Sequence, residues 1–140
     1  MSEVLHRIRL FVFHLSERVP NYLLLKPAQG VESCWGPIHG SIGFGEQLEA
    51  AIRREVRDDA GIESPLDVID LEMPSRWVLG DEQVVEWNFG VRTPPLGREL
   101  DLHDRWADFR WADFSAAYPS LELEYDRAAI MRLHTPLSAA

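Results

Sequence analysis

The 140-residue chain has one cysteine, Cys34, which excludes a disulfide framework and favours a reducing compartment. No apolar run approaches the roughly 20 residues of a membrane-spanning helix. The N-terminus has no small-residue cleavage site and alternates like a strand, which is not typical of a signal peptide. We therefore expect a cytoplasmic protein without a membrane partner.

Positive charge is scarce: the chain has 14 Lys and Arg against 23 Asp and Glu, which gives a net charge of −9. Stable nucleic-acid binding relies on clustered Lys and Arg, so we expect none. The hydrophobic content of 46% and charged content of 26% are those of a globular protein. The length predicts a single domain over residues 1–140, with a homodimer kept as an option.

One stretch, from Gly40 to Ile62, combines a glycine-rich loop with a helix. Four glycines fall within ten residues, which allows tight bends and close approach to a ligand: Gly36, Gly40, Gly43 and Gly45. From Gln47 to Ala60 the chain has no Gly or Pro and is rich in good helix formers. Gly61 predicts the end of the helix.

This helix carries a crowded acidic end. Helical spacing continues an apolar stripe, which begins at Leu48, into the three carboxylates of Glu55, Asp58 and Asp59. Like charges repel, and the C-terminal end of a helix disfavours anions. A divalent cation would offset both effects, and oxygen ligands suit Mg²⁺ or Mn²⁺. The alternative is a solvated acidic patch.

The spacing of the whole stretch matches the pattern G-x5-E-x7-R-E-U-x-E-E-x-G-U, in which U is aliphatic. The pattern is the Nudix box, and the chain therefore resembles the Nudix (MutT-like) hydrolase family. Asp58 and Asp59 keep the charge of the two glutamates but are one methylene shorter. The matching residues are Gly40, Glu46, Arg54, Glu55, Val56, Asp58, Asp59, Gly61 and Ile62.

Strand and helix patterns alternate irregularly along the rest of the chain, which favours an α+β arrangement with a mixed sheet flanked by helices. The resemblance implies an α/β/α sandwich, the Nudix fold, with the box helix packed on the sheet. Strands are predicted at 6–15, 22–26, 66–73, 84–91 and 109–112, and a closing helix at 124–134.

The resemblance implies hydrolysis of a phosphoanhydride bond in a nucleoside diphosphate linked to another moiety, with Mg²⁺ or Mn²⁺ as cofactor. Glu55 has the place of the general base, and Arg54 joins it in a supporting role. Gly40, Glu46 and Gly61 are the structural residues of the box. The implied metal ligands are Glu55, Asp58, Asp59, the carbonyl of His39, and Asp104. Relatives carry a Glu-His pair where this chain has Arg105-Trp106, so Asp104 is equally consistent with a solvated loop acid.

Three further residues are candidates for substrate binding: Lys26, Trp77 and Trp87. A strand-end surface lysine and core tryptophans are the simpler interpretations. The segments VEWNFGV and FRWADF favour a nucleoside triphosphate-type pyrophosphohydrolase, similar to those acting on dNTPs or dihydroneopterin triphosphate. The alternatives are a dinucleoside polyphosphate hydrolase and a non-catalytic nucleotide-binding module whose metal site the aspartate pair has weakened.

Overall fold

The computed structural model describes residues 4–28, 34–96 and 100–139. These residues contain seven strands and three helices. The strands are β1 (Val4–Ser16), β2 (Val19–Pro27), β3 (Ile38–Ser41), β4 (Asp67–Asp70), β5 (Ser75–Leu79), β6 (Glu82–Arg92) and β7 (Trp106–Asp113), and the helices are α1 (Leu48–Ala60), α2 (Phe114–Ser120) and α3 (Glu124–Ser138). None of these helices is long and apolar enough to cross a membrane.

The strands form one mixed sheet in the order β4-β6-β1-β2-β7, with β3 paired to β1 and β5 paired to β6. Strands β1 and β6 run parallel, with Ile8 opposite Trp87, whereas the other pairs are antiparallel. The predicted mixed sheet is confirmed. Pairing with β3 brings Gly40 opposite Ile8 and thereby sets the start of the box beside the sheet centre.

Side-chain alternation along β1 divides the core into two layers, because successive residues of a strand point to opposite faces. One face packs on α1 and the other on α3, which confirms the α/β/α sandwich. Ile8, Leu10 and Val12 share a buried cluster with Ala51, Ile52 and Val56, and Phe11 and Phe13 share the other with Ala129, Ile130 and Leu133.

Helix α1 begins and ends where the sequence predicts. Gly61 follows it in the left-handed conformation, with φ 70° and ψ 21°, and its N–H donates to the carbonyl of Arg57. The apolar stripe differs from the prediction at its start, since Leu48 is 41% exposed.

Two local elements differ from the predicted pattern. Strand β4 stops at Asp70 because the Asp70 carboxylate accepts the N–H of Glu72, which has a φ of 55°. Helix α2 is not predicted at all, although Asp113 caps it by accepting the N–H of Ala116 at 3.0 Å. A capping aspartate was the available signal for this short helix.

Candidate functional site

A cleft of about 570 Å³ opens where the C-terminal half of α1 faces β3 and the loop before β7. Five of the predicted site residues line it, together with four residues that sequence reasoning did not select. The lining residues are Arg7, Gly40, Ser41, Arg54, Glu55, Asp58, Asp59, His103 and Arg105.

Glu55 is buried at the wall of this cleft against Gly40. A Cβ atom on Gly40 would lie 2.1 Å from Oε1 of Glu55, so only glycine leaves room for the carboxylate. Burial raises the pKa of Glu55, and the charge of Asp59 adds to this, whereas the hydrogen bond from Arg54 opposes it. A carboxylate with a raised pKa is a suitable proton acceptor for a reaction near neutral pH.

Arg54 connects the helix to the glycine-rich loop through several hydrogen bonds. Its Nε donates to Oε2 of Glu46 at 2.8 Å, and its Nη2 donates to Oε1 of Glu46 at 3.0 Å. The same Nη2 donates to the carbonyl of Ser41 at 2.8 Å, and Nη1 donates to Oε1 of Glu55 at 2.9 Å. Arg54 therefore orients the Glu55 carboxylate while it holds the loop.

Arg105 reaches the same carboxylates from the opposite side of the cleft. Its Nε donates to Oδ1 of Asp59 at 3.1 Å, and its Nη2 donates to Oδ2 of Asp59 and to the carbonyl oxygen of His39. Nη2 also lies 3.5 Å from Oε2 of Glu55. One guanidinium thus contacts three of the predicted metal-ligand groups. The sequence signal for this contact was Arg105 itself, which stands where the Nudix family has the acid of a Glu-His pair.

The backbone around Arg105 is tied to the rest of the site. Its carbonyl accepts the N–H of Ala28 at 2.8 Å, and its own N–H donates to Nδ1 of His103 at 3.1 Å. The N–H of His103 in turn donates to the carbonyl of Asp59 at 3.0 Å. The guanidinium also lies over the ring of Trp106, at 4.7 Å from its centroid.

This fold occurs in solved structures. The Nudix domain of Shewanella oneidensis NrtR, complexed with ADP ribose, has a TM-score of 0.78 and 13% identity over 98% of this chain and 90% of that one. A C. elegans Ap4A hydrolase in a binary complex has a TM-score of 0.74 and 15% identity over 97% and 99%. The E. coli dihydroneopterin triphosphate pyrophosphohydrolase has a TM-score of 0.72 and 20% identity over 89% and 91%. The protein has the Nudix fold.

The resemblance indicated by the box is therefore confirmed at the level of the fold. No family model and no curated protein matches the sequence.

Within this Nudix fold, the residues around the cleft do not fit a divalent ion as they are arranged. Two carboxylates and a carbonyl are suitable ligands for Mg²⁺ or Mn²⁺, but those of Glu55, Asp59 and His39 all contact Arg105. In the described parts of the chain, no three His, Cys, Asp or Glu side chains are grouped to hold a metal ion.

The remaining predicted ligands lie away from this cluster. Asp58 lines the cleft, but its side chain is 50% exposed and its Oδ1 lies 3.4 Å from Nε of Arg57. Asp104 is exposed and does not line the cleft. The expectation that Asp58 shares the buried side of α1 with Glu55 and Asp59 is wrong.

The side chain of His39 contacts Arg7 of β1 and the ring of Trp106. Its Nδ1 lies 3.2 Å from Nη2 of Arg7. Burial lowers the pKa of His39 to about 3, and the charges of Arg9, Arg105 and Arg7 add to this. The imidazole is therefore neutral near pH 7.

The three predicted substrate contacts lie outside the lining of the cleft. The ammonium of Lys26 lies 5.7 Å from the ring centroid of Trp35. Trp77 is 40% exposed on β5, and Nε1 of Trp87 donates to Nδ1 of His6 at 3.4 Å. The structure thus brings Arg54, Glu55 and Asp59 together but not these three, and their contact with a substrate stays a prediction.

Proposed function

We propose that the protein is a Nudix-type pyrophosphohydrolase that cleaves a phosphoanhydride bond in a nucleoside diphosphate linked to another moiety. The observation that carries the proposal is the setting of Glu55, which is 7% exposed, is oriented by Arg54 and borders an open cleft. The same helix residues occupy the box positions that the Nudix resemblance assigns to catalysis. A single domain over residues 1–140 and a cytoplasmic location belong to the proposal.

In the proposed reaction, a water oxygen attacks phosphorus and the bridging P–O bond of the anhydride breaks. Glu55 accepts the proton of the water, and the leaving phosphate retains the bonding electrons. Arg7 lines the cleft, with Nη1 3.1 Å from Oγ of Ser41 and Nη2 3.2 Å from Nδ1 of His39. The second N–H of each of these nitrogens is the donor that we assign to charge developing on phosphate oxygens. Arg54 acts through Glu55, because its donors are directed at Glu55, Glu46 and the Ser41 carbonyl.

The proposed substrate is of the nucleoside triphosphate type, supported by the late sequence pattern and by similarity to the dihydroneopterin triphosphate enzyme. Dinucleoside polyphosphates are the next substrate class, supported by similarity to the Ap4A hydrolase. The proposed cofactor is Mg²⁺ or Mn²⁺, which the Nudix resemblance implies. Activity should therefore be measured with each ion and with a chelator.

A second candidate function is nucleotide binding without hydrolysis. The specific observation in its favour is that Arg105 donates hydrogen bonds to Asp59 and to the His39 carbonyl. In a Nudix hydrolase mechanism, these two groups would be metal ligands. A Nudix domain complexed with ADP ribose is among the similar structures, which supports nucleotide binding by this fold.

The test is a panel of nucleoside triphosphates, dihydroneopterin triphosphate, Ap4A and ADP ribose, with product release measured by chromatography. Hydrolysis of at least one compound is expected, with a loss of about 10²-fold or more in Glu55→Gln. Glu49→Gln is the matched control, because Glu49 lies on the same helix and its side chain is 72% exposed. Nucleotide binding by calorimetry without product in any arm would overturn the hydrolase and favour the binding module.

A further inference from the structure

We infer that the guanidinium of Arg105 occupies the cation position of the cleft, so that a divalent ion binds there only when Arg105 leaves. The inference rests on the proposed function only in taking this cleft as the ligand site. Its evidence is the set of oxygen atoms that Arg105 contacts, the charge balance around them and the way in which the arginine is held.

The contacted atoms form a cation site made of oxygen. Arg105 binds Asp59 with two nitrogens, the fork arrangement in which a guanidinium matches a carboxylate. It also binds the carbonyl of His39 and approaches Glu55. A metal ion coordinated by these oxygens would stand where the Nη2 atom now stands, so the two cations exclude each other.

Each buried carboxylate of the cluster already has a guanidinium partner. Glu55 and Asp59 contribute at most two negative charges, and their side chains are 9% and 5% exposed. Arg54 contacts Oε1 of Glu55 while it also pairs with Glu46, and Arg105 contacts Asp59, so each of the two buried carboxylates already faces a guanidinium group. A divalent ion added beside both arginines would meet repulsion at short range in a poorly hydrated place.

Arg105 is held by its backbone but its side chain can leave. The hydrogen bonds with Ala28 and His103 fix the main chain, whereas 35% of the Arg105 side-chain surface is exposed. Rotation toward solvent would free the oxygens of Glu55 and Asp59 without unfolding the loop. Competition for one position, rather than permanent loss of the site, is the expected behaviour.

The experiment is a titration with Mn²⁺ alone, without nucleotide, followed by electron paramagnetic resonance of the free ion. An arginine in place nine-tenths of the time would weaken the apparent affinity about 10-fold. Arg105→Gln should therefore bind Mn²⁺ at least about 10-fold more tightly than wild type, and the added Asp59→Asn change should abolish this gain. Arg53→Gln is the control, because it removes the same charge from an exposed position of α1 and should leave the affinity unchanged.

Thermal unfolding gives a second measurement that is independent of turnover. Without metal, Arg105→Gln should melt below wild type, because Glu55 and Asp59 lose a counter-charge. Saturating Mn²⁺ should raise the melting temperature of Arg105→Gln more than that of wild type. Equal Mn²⁺ affinity in wild type and Arg105→Gln, whether both bind or neither binds, would overturn the inference.

Arg105→Lys covers the case in which the glutamine variant does not fold. A lysine keeps the charge but loses the fork, so the Mn²⁺ affinity of Arg105→Lys should lie above that of wild type. An affinity equal to that of wild type would again overturn the inference. Because no nucleotide is present, these results can fail while the hydrolase proposal stands, and the reverse also holds.

Discussion

Arg54 and Glu46 form a two-bonded ion pair that joins helix α1 to the loop before it. The distances are 2.8 Å from Nε to Oε2 and 3.0 Å from Nη2 to Oε1. Oε1 of Glu46 also accepts the N–H of Gly43 at 2.9 Å. This pair therefore fixes the glycine-rich loop against the helix that carries Glu55.

The first prediction uses the pH dependence of this ion pair. The hydrogen bond from Arg54 lowers the pKa of Glu46 from 4.5 to about 2. A lowered carboxyl pKa stabilises the folded state above the ordinary pKa, and this contribution is lost as the pH falls from 4.5 toward 2. Glu46→Gln should therefore unfold more easily than wild type at pH 7, by urea denaturation, and the difference should shrink below about pH 5.

The exposed Glu49→Gln substitution on α1 serves as the control for Glu46→Gln. A wild-type advantage that is the same at pH 7 and pH 3, or that grows on acidification, would show that the Arg54–Glu46 pair is not its source.

The second prediction concerns the contact between Gly40 and Glu55. In Gly40→Ala the new Cβ would lie 2.1 Å from Oε1 and 2.4 Å from Cδ of Glu55, so the carboxylate must move. We expect a loss of about 1–3 kcal/mol in the free energy of unfolding, as for other overpacked sites. Gly36→Ala is a matched control, because its Cβ would meet no atom closer than 3.7 Å.

A double variant tests the cause of the Gly40→Ala effect. If the clash with Glu55 is responsible, Gly40→Ala should cost less in a Glu55→Ala background than in the wild type. Additive costs would place the effect elsewhere in β3.

The third prediction concerns the residue that ends α1. Gly61 has a φ of +70°, and a Cβ on it would lie 2.8 Å from the Cβ of Asp101. Gly61→Ala should lower the free energy of unfolding by at least about 1 kcal/mol, because the left-handed conformation disfavours residues with a Cβ. Adding Asp101→Gly to Gly61→Ala should restore the share of the unfolding free energy that is lost to the contact with Asp101. The share lost to backbone strain should remain. No recovery in the double variant would assign the whole loss to the backbone conformation.

The fourth prediction concerns the pair of buried Tyr22 and half-buried His134 on the other face of the sheet. The hydroxyl of Tyr22 lies 2.7 Å from Nδ1 of His134, and the His134 ring stacks on Phe114 at 4.0 Å between centroids. Tyr22→Phe should cost about 0.5–1.5 kcal/mol in unfolding free energy, the net value of one such hydrogen bond. A smaller loss of unfolding free energy would mean that water hydrogen-bonds to Nδ1 of His134 in place of the Tyr22 hydroxyl.

Protonation gives the same pair a defined pH dependence. Burial lowers the pKa of His134 below 6.5, so the folded state binds fewer protons than the unfolded state in acid. Its contribution to stability is complete above pH 6.5 and is lost as the pH falls below that value. The loss of stability between about pH 7 and pH 5 should be smaller in His134→Gln than in wild type, with exposed His6→Gln as control.

Local patterns of the sequence were sufficient for the main elements of this fold. The bounds of α1 follow from a run of helix formers that ends at Gly61, and β1, β2 and β6 follow from apolar runs between turns. Helix α2 was missed because it spans only 114–120 and buries only Ala117 in the described structure, so its periodicity is weak. Its capping Asp113 was a local signal, but a short helix depends on what it packs against.

The box likewise determined that acidic side chains gather at one end of α1, because that clustering depends only on helical spacing. The rotation of about 100° per residue turns Asp58 toward solvent while Glu55 and Asp59 face the interior, and which of the three is buried is decided by where the sheet lies. The cation that meets them comes from Arg105, 46 residues beyond Asp59 in the chain. Only tertiary structure brings that arginine to the site, because the position of its loop depends on hydrogen bonds with Ala28 and Asp59 rather than on any local pattern.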